Sequence, residues 1–454
     1  MDSKRDSKRE FVDSLMARIR EEVEFGIAEL EEQGPVTMDQ IEEVVERAKT
    51  LIGRELAQRI VDRQPDDPAN QSRCPACGDG GRLHSRARRL LLTRHGEIAL
   101  CRRWYRCGCG HSFSPLDQRL GLDACSTTLW VRGLVAEWAA ERTFQATAKD
   151  LWRSRGLVVS ESTVERIAVA CGTRLQEHEA AAGAEYEAGV LPEPIHQPDT
   201  LYLSMDGVYA PLRDAWKKDG SAGKLECRAG ECKIGMAYEI TTDRQGRPRI
   251  AWREYTATFG DISTFRPLMG ALANRCGVSR ARRLVFLADT LACNWNLAAD
   301  YFPDAVQIVD WRHAVSHLET VVEDFFGADT EPGRRWLAER KAELWEGQAA
   351  AVSEAVLALP SLPQETAVQA ETRRREGEYF HNHRHRMRYA QFREEGYQIG
   401  SGVMEASCRT VVNQRLDQSG MHWRQVTADK MVALRAALLS TTKPNLTAFC
   451  TAPN

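Results

Sequence analysis

Three acidic residues and two cysteine pairs are the parts of this sequence whose types and spacing can do chemistry. Leu284-Val285-Phe286-Leu287-Ala288 is an uninterrupted apolar run that ends in Asp289. Such a run suits a parallel strand covered on both faces, and open α/β sheets place their chemistry at the carboxyl ends of such strands. Leu201, Leu203 and Met205 alternate with Tyr202, Ser204 and Asp206. Asp206 is therefore expected near its strand's end, on the face opposite the apolar set. A third carboxylate lies far downstream. The turn Gly400-Ser401-Gly402 starts a helix on which Glu405, Arg409 and Asn413 form one stripe and Met404, Cys408 and Val411 an adjacent apolar one. Acids converging from neighbouring strands and a later helix can hold paired magnesium ions, which activate an attacking hydroxyl and stabilise a leaving oxygen. The competing reading of Glu405, on spacing alone, is a surface residue paired with Arg409.

The cysteines read differently. Cys74-Pro75-Ala76-Cys77-Gly78 and Cys107-Gly108-Cys109-Gly110 set two thiol pairs about thirty residues apart, each beside glycines that permit tight turns. That is the pattern of a tetrahedral zinc ribbon, with Cys74, Cys77, Cys107 and Cys109 as expected ligands. The second pair is CxC where a ribbon normally has CxxC, and Cys101 and His111 are alternative donors. Ordinary buried thiols are the competing reading. Over 82–106, between the pairs, Arg82, Arg86, Arg88, Arg89, Arg94, Arg102, Arg103 and Arg106 accompany a single acid, Glu97, with Trp104 and Tyr105 interleaved. This composition fits a phosphate-tracking surface with stacking aromatics; a solvated basic face is the alternative.

The elements that must position these groups follow from composition and periodicity. A chain of 454 residues, 43% hydrophobic and 28% charged, has length for about three domains and is not wholly disordered. A formal net charge of -3 gives no global reason for an anionic partner, so any such claim rests on local patches. The opening Met1-Asp2-Ser3-Lys4-Arg5 carries no targeting signal, and no apolar run approaches the roughly 18 to 20 residues of a membrane helix. Five of thirteen cysteines crowd into 74–109, unlike a secreted disulfide framework. A cytoplasmic, reducing location with no membrane partner is expected.

Phe11, Leu15, Ile19, Val23, Ile27 and Leu30, then Ile41, Val44, Val45, Ala48, Leu51, Leu56 and Ile60, predict a helical hairpin over 8–63, suited to packing or self-association. Asp66, Asp67, Pro68, Ala69 and Asn70 predict a linker. Residues 126–172 are helical in pattern. Thr147 to Leu151, Gly156 at a turn and Ser160 capping a second helix through Ile167 have the layout of a helix-turn-helix, with a purely structural hairpin as the alternative. A Pro-rich stretch, Leu191 to Pro198, closes this half. Strand patterns at 201–206, 233–240 and 250–258, a helix at 262–274, the 284–288 strand, a helix at 295–301 and a strand at 305–309 follow. Three antiparallel strands and then βαβ is a ribonuclease-H-like order. Residues 313–390 are helical in pattern and separate the second and third acids, so a helical insertion is expected. It ends in Arg373, Arg374, Arg375, Arg384, Arg386, Arg388 and Arg393, suited to DNA near a scissile phosphate or to a solvated charge run. His313 and His317, one turn apart, suit packing or a DNA-facing role, and Asp310 is the nearest supporting carboxylate.

Four segments carry a resemblance: MDGVYA at Asp206; GECKIGMAYE from Gly230; LADTLACNWNLAADYFPDAVQIVDWRHAVSHL around Asp289; and YQIGSGVMEASCRTVVNQRLDQSGMHW around Glu405. With Phe113-Ser114-Pro115-Leu116-Asp117 after the ribbon, the chain resembles the insertion-sequence DDE transposases of the Kra group (ISKra) from the ribbon to about Leu438. The resemblance implies a magnesium-dependent (or manganese-dependent) ribonuclease-H-like transposase with Asp206, Asp289 and Glu405 as catalytic triad and metal ligands, a structural zinc ion, and homo-oligomers on DNA. The expected fold is multidomain α/β: a helical hairpin (1–66), a zinc ribbon (72–118), a helix-turn-helix domain (119–190), the first part of a ribonuclease-H-like mixed sheet (199–312), a helical insertion (313–390) and the closing part with the Glu405 helix (391–440). DNA, both element ends and target, is the expected partner, met by Arg86, Arg88, Arg89, Arg102, Arg103, Arg384, Arg386, Arg388 and Arg409. The alternatives are a zinc-ribbon and helix-turn-helix regulator without catalysis, or a nuclease on the same core that cuts without joining.

Overall fold

Local signals set most element boundaries. A computed structural model describes residues 2–32, 34–64, 72–122, 124–213, 227–359 and 366–451; the linker expected at 66–70 lies outside them. The chain divides into two units, residues 1–171 with 445–454, and residues 172–444.

In the first unit, α1 (Asp2–Glu32) and α2 (Met38–Asp62) form the hairpin. Thr37 and Gln40 make a reciprocal capping box that fixes where α2 begins. Gly26 lets the helices close up, because a Cβ there would lie 2.4 Å from Val44 Cγ1. The ribbon strands β1 (Arg82–Thr93) and β2 (Gly96–Arg106) pair antiparallel, and β3 (Ser112–Phe113) joins the β2 edge. The short α3 (Pro115–Arg119) follows. Leu91, Ile98, Leu100 and Leu116 form a small core against which Ala57 and Val61 of α2 pack. Next come α4 (Leu129–Glu141), α5 (Phe144–Arg155) and the start of α6 (Glu161–Glu187), whose residues from Gly172 on belong to the second unit. Gly156 ends α5 at φ 63°, a left-handed position that only glycine takes without strain. Ser160 Oγ accepts the Thr163 N–H at 3.2 Å, so Gly156 lies in the turn and Ser160 caps the following helix.

In the second unit the chain runs β4 (Thr200–Arg213), β5 (Cys227–Thr242), β6 (Pro248–Thr258), α7 (Ile262–Arg275), β7 (Arg283–Ala288), α8 (Ala292–Tyr301) and β8 (Val306–Val309). The mixed sheet has the order β6-β5-β4-β7-β8. The β4–β5 and β5–β6 pairs are antiparallel, whereas β4–β7 and β7–β8 are parallel. Helices cover both faces: a Cβ on Gly235 would meet Met269 and Phe265 of α7, while its neighbour Met236 receives the Ser407 hydroxyl from the other side. Two-sided cover explains why Tyr202 and Ser204 are buried along with Leu201 and Leu203.

The expected insertion is helical and starts directly from the sheet. Asp310 caps α9 (Trp311–Phe326), followed by α10 (Glu331–Trp345), α11 (Ala349–Leu357), α12 (Ala367–His383), a single 3-10 turn at Arg384–Arg386 and α13 (Tyr389–Glu394). After it come α14 (Gly402–Cys408), a π-helical turn at Arg409–Asn413, α15 (Gln414–Leu416) and α16 (Gln425–Leu439). The Pro-rich stretch is strapped down rather than loose: His196 stacks on Trp252 at 3.9 Å, and Ile195 N–H donates to the Arg275 carbonyl. No helix among the described residues is long and apolar enough to cross a membrane.

Candidate functional site

Strand register brings the first two acids together. In the parallel β4–β7 pair Met205 lies opposite Ala288, so Asp206 and Asp289 follow side by side where that pairing ends; β7 stops there, but β4 runs on to Arg213 against β5, so Asp206 sits mid-strand and not near its strand's end as expected. Ala288 in turn faces Val309, which puts Asp310 at the end of the third parallel strand. Glu405 arrives on α14, and a cleft of about 240 Å³ is lined by Asp206, Asp289, Asp310, His313, Ser401 and Glu405 among others.

Each acid is held differently. Asp206 Oδ1 accepts the Gly207 N–H at 2.7 Å, and the buried Cys408 thiol donates to Oδ2 at 3.6 Å. Asp289 Oδ1 accepts the Leu291 N–H at 3.1 Å and the side-chain amide of Asn294, a residue only 2% exposed. Glu405 is exposed, as the competing surface reading has it, though among the described residues it forms no ion pair with Arg409. Burial pushes the Asp206 carboxyl up, and the negative charges of Asp289 and Glu405 push it further, against the Gly207 N–H. The cleft thus concentrates negative charge. The acids stand round it rather than at one point, since among the described residues only a cysteine group has its ligand atoms all within 4.8 Å of one another.

Sequence reasoning noticed Asp310 but not its task. Its Oδ1 accepts Ser401 N–H at 2.6 Å and its Oδ2 accepts His313 N–H at 2.7 Å, while Trp311 N–H donates to the Ile399 carbonyl at 2.8 Å. The Gly-Ser-Gly turn that starts the Glu405 helix is therefore fastened to the sheet. Asn294 was missed altogether; its position five residues after Asp289, at the start of the next helix, was the available signal. The expected stripe through Asn413 is altered, because the π-helical turn adds a residue to the repeat after Cys408. His313 and His317 form a packed network: His313 Nε2 meets Thr290 Oγ1 and His317 Nε2, each at 3.3 Å, and His317 Nδ1 meets the buried Glu376. Burial and the neighbouring His317 hold His313 below the usual histidine range.

The four cysteines converge. Cys74 Sγ lies 3.7 Å from Cys109 Sγ, and Cys77 Sγ 3.4 Å from Cys107 Sγ. Tetrahedral zinc with bonds of about 2.3 Å requires sulfur separations near 3.8 Å. Gly78 and Gly110 N–H groups donate back to Cys74 and Cys107 carbonyls, making the two knuckles, and the CxC pair closes as well as the CxxC. Burial opposes ionisation of Cys74, but the Cys77 and Ala76 N–H groups outweigh it and bring the thiol down to about 7. Cys77 gains from the Asp79 N–H, yet crowding by Cys107 and Cys109 drives it up to about 12. A thiolate cage strained by its own charge fits a divalent cation, and zinc would be held by these four sulfurs. Cys101 is exposed and is not in the group.

The arginines divide. Arg89 and Arg102, expected on the DNA surface, turn inward onto Asp117, with Arg89 Nη1 3.0 Å from Oδ2 and side chains only 10% and 15% exposed. The cause is strand alternation: both lie on the ribbon face that carries Leu91 and Leu100. Arg86 and Arg103 pair across the strands on the other face; Arg82 and Arg106 pair nearer the cysteines, where both are exposed. Arg384, Arg388 and Arg409 are exposed. Arg386 is instead pinned, lying 4.3 Å over Trp295 with Nε donating to Gln307 Oε1 at 2.7 Å.

No family model and no curated protein matches this chain. Among solved structures, a chain of the Drosophila P element transposase strand transfer complex is similar to it, with a TM-score of 0.23 and 10% sequence identity over 74% of this chain and 86% of that one.

Proposed function

We propose that the protein is a DDE transposase of the insertion-sequence Kra type, cutting DNA at element ends and joining the freed 3′ hydroxyls to target DNA. The observation that carries this reading is the single cleft lined by Asp206, Asp289 and Glu405, two from adjacent parallel strands and one from a helix over a hundred residues later. In this reading the five-stranded mixed sheet is a ribonuclease-H-like core and the helices between Asp310 and Ser401 are its insertion. The donor set suits magnesium or manganese, being three hard carboxylates, of which Asp206 is raised first by burial and then by the charges of the other two. When bound there, such ions supply charge neutralisation at the attacking and leaving oxygens of a phosphoryl transfer.

The chain's own residues do the rest. Asn294 and the Leu291 N–H fix Asp289, the Gly207 N–H fixes Asp206, and Asp310 anchors the turn that delivers Glu405. Water attacks phosphorus in line, the P–O3′ bond breaks, and the 3′ oxygen departs as a hydroxyl. That hydroxyl then attacks a target phosphodiester, exchanging one P–O bond for another without a covalent protein intermediate. Arg86, Arg88, Arg103, Arg384, Arg388 and Arg409 are the proposed DNA contacts. The exposed cross-strand pair Arg82 and Arg106 places like charges face to face, which destabilises a bare ribbon and favours an anionic partner.

The test is cleavage of end-containing DNA by Asp206→Asn, Asp289→Asn and Glu405→Gln. Each should lose strand cleavage while end binding stays within a few-fold. Undiminished cleavage by any of them overturns the assignment. Precut ends offered with target DNA separate a transposase, which joins them, from a nuclease, which does not.

A further inference from the structure

The helical hairpin has too little of itself to bury. Among its described side chains nothing in α2 is buried, and in α1 only Gly26 is. Yet each helix carries an apolar stripe that the other does not cover. On α1, Val12, Met16, Val23 and Ile27 are between 40% and 54% exposed; on α2, Ile41, Val45, Leu56 and Ile60 are between 37% and 58% exposed. Every one of these residues directly follows a better-shielded one, as Met16 follows Leu15, Ile27 follows Gly26 and Val45 follows Val44. One residue further along a helix turns the side chain by about 100°. In an antiparallel pair the two helices turn in opposite senses in space, so the same one-residue offset brings both stripes out on one face of the hairpin. The ribbon does not cover that face, since it packs on Ala57 and Val61, residues next to the exposed Leu56 and Ile60.

Charge identifies what covers it. Residues 21–46, which form the tip, contain ten acids and no lysine or arginine. The base, residues 9–20 and 47–63, contains eight basic residues and four acids. A nucleic acid is repelled by the tip, and a second hairpin laid tip to tip would be too. Laid antiparallel, each acidic tip rests over the other's basic base while the apolar faces meet, and the contact is its own two-fold mate. We infer that this face of the hairpin is a self-association surface, on which a second copy of the chain docks antiparallel to form a four-helix bundle. This inference is independent of the chemistry assigned to the carboxylate cleft.

Sedimentation of the full chain without DNA tests it. The expected species has about twice the 51.1 kDa monomer mass and weakens as salt is raised. Val45→Glu should release monomers. Two exposed charge swaps leave the apolar side chains in place and keep the test open if that variant misfolds. Tip-reversed Glu24→Lys/Glu42→Lys and base-reversed Arg9→Glu/Arg20→Glu should each raise the dissociation constant about tenfold or more, through loss of several ion pairs. Mixed in equal amounts, the two should pair again, because the reversed tip positions then face the reversed base positions at one end and the unchanged tip faces the unchanged base at the other. A monomeric parent chain overturns the proposal, and so does a mixture that associates no better than its components.

Discussion

Removing the Asp310 carboxylate should loosen the Glu405 helix without touching Glu405. Asp310 is 3% exposed, and each of its oxygens accepts a backbone N–H, from Ser401 at 2.6 Å and His313 at 2.7 Å. A hydrogen bond to a buried charge contributes about 1.5 to 3 kcal/mol, and loss of an N-cap about 1 kcal/mol more. In Asp310→Ala the Ser401 amide loses its acceptor, so its hydrogen exchange should quicken by about 10- to 100-fold, the factor that energy sets. Asp310→Asn keeps one accepting oxygen and should fall between the parent and the alanine variant. Because a misplacement of about 1 Å at a reacting group can lower a rate by about 10²-fold, cleavage should fall by that order while DNA affinity holds. Exchange over 398–405, read by mass spectrometry, is the direct assay. Unchanged exchange in the alanine variant would refute the claim that Asp310 fastens the turn.

Three further outcomes are expected. Cys109→Ser should lower zinc content and collapse the ribbon's near-ultraviolet dichroism, whereas Cys101→Ser should leave both unchanged; equal effects would return the fourth ligand to open competition. Asp117→Ala strands Arg89 and Arg102 inside and should destabilise the ribbon by about 2 to 4 kcal/mol in urea unfolding. Arg86→Ala, in contrast, should leave stability within about 0.5 kcal/mol and cut the salt slope of DNA binding by about 1. Burial, aided by the nearby Arg386 charge, pulls His383 down to about 4. With an ordinary unfolded value near 6.5, the unfolded chain binds more protons between those limits, so the stability this residue confers is full above pH about 6.5 and is lost toward pH 4. Half-exposure discounts the effect to about 1 to 2 kcal/mol. His383→Phe should flatten that part of the pH–melting curve, and an unaltered slope would count against it.

Much of the second unit was legible because strand burial is a local pattern. The apolar run 284–288 announces a strand covered on both sides, and Asp289 follows its last residue wherever the sheet goes. The four-cysteine cluster was legible for the same reason, since paired cysteines at knuckle spacing point their sulfurs inward however the ribbon docks. The arginines were not, because composition counts charges without knowing on which face of a strand each falls. Arg86 and Arg89 read alike in the sequence; pairing with β2 puts one outside and the other beneath Leu91.

The sequence by itself determined that Asp289 ends a strand, which cysteines pair and where several helices begin, since each depends on neighbours within a turn or two, whereas β4 runs on past Asp206 to Arg213. Only the tertiary structure decided that Asp310 reaches Ser401, 91 residues away, that Asn294 closes on Asp289, and that Arg89 and Arg102 share Asp117. Those contacts depend on sheet register and helix docking, where one residue of slip exchanges an inward side chain for an outward one, and no local periodicity records which register wins.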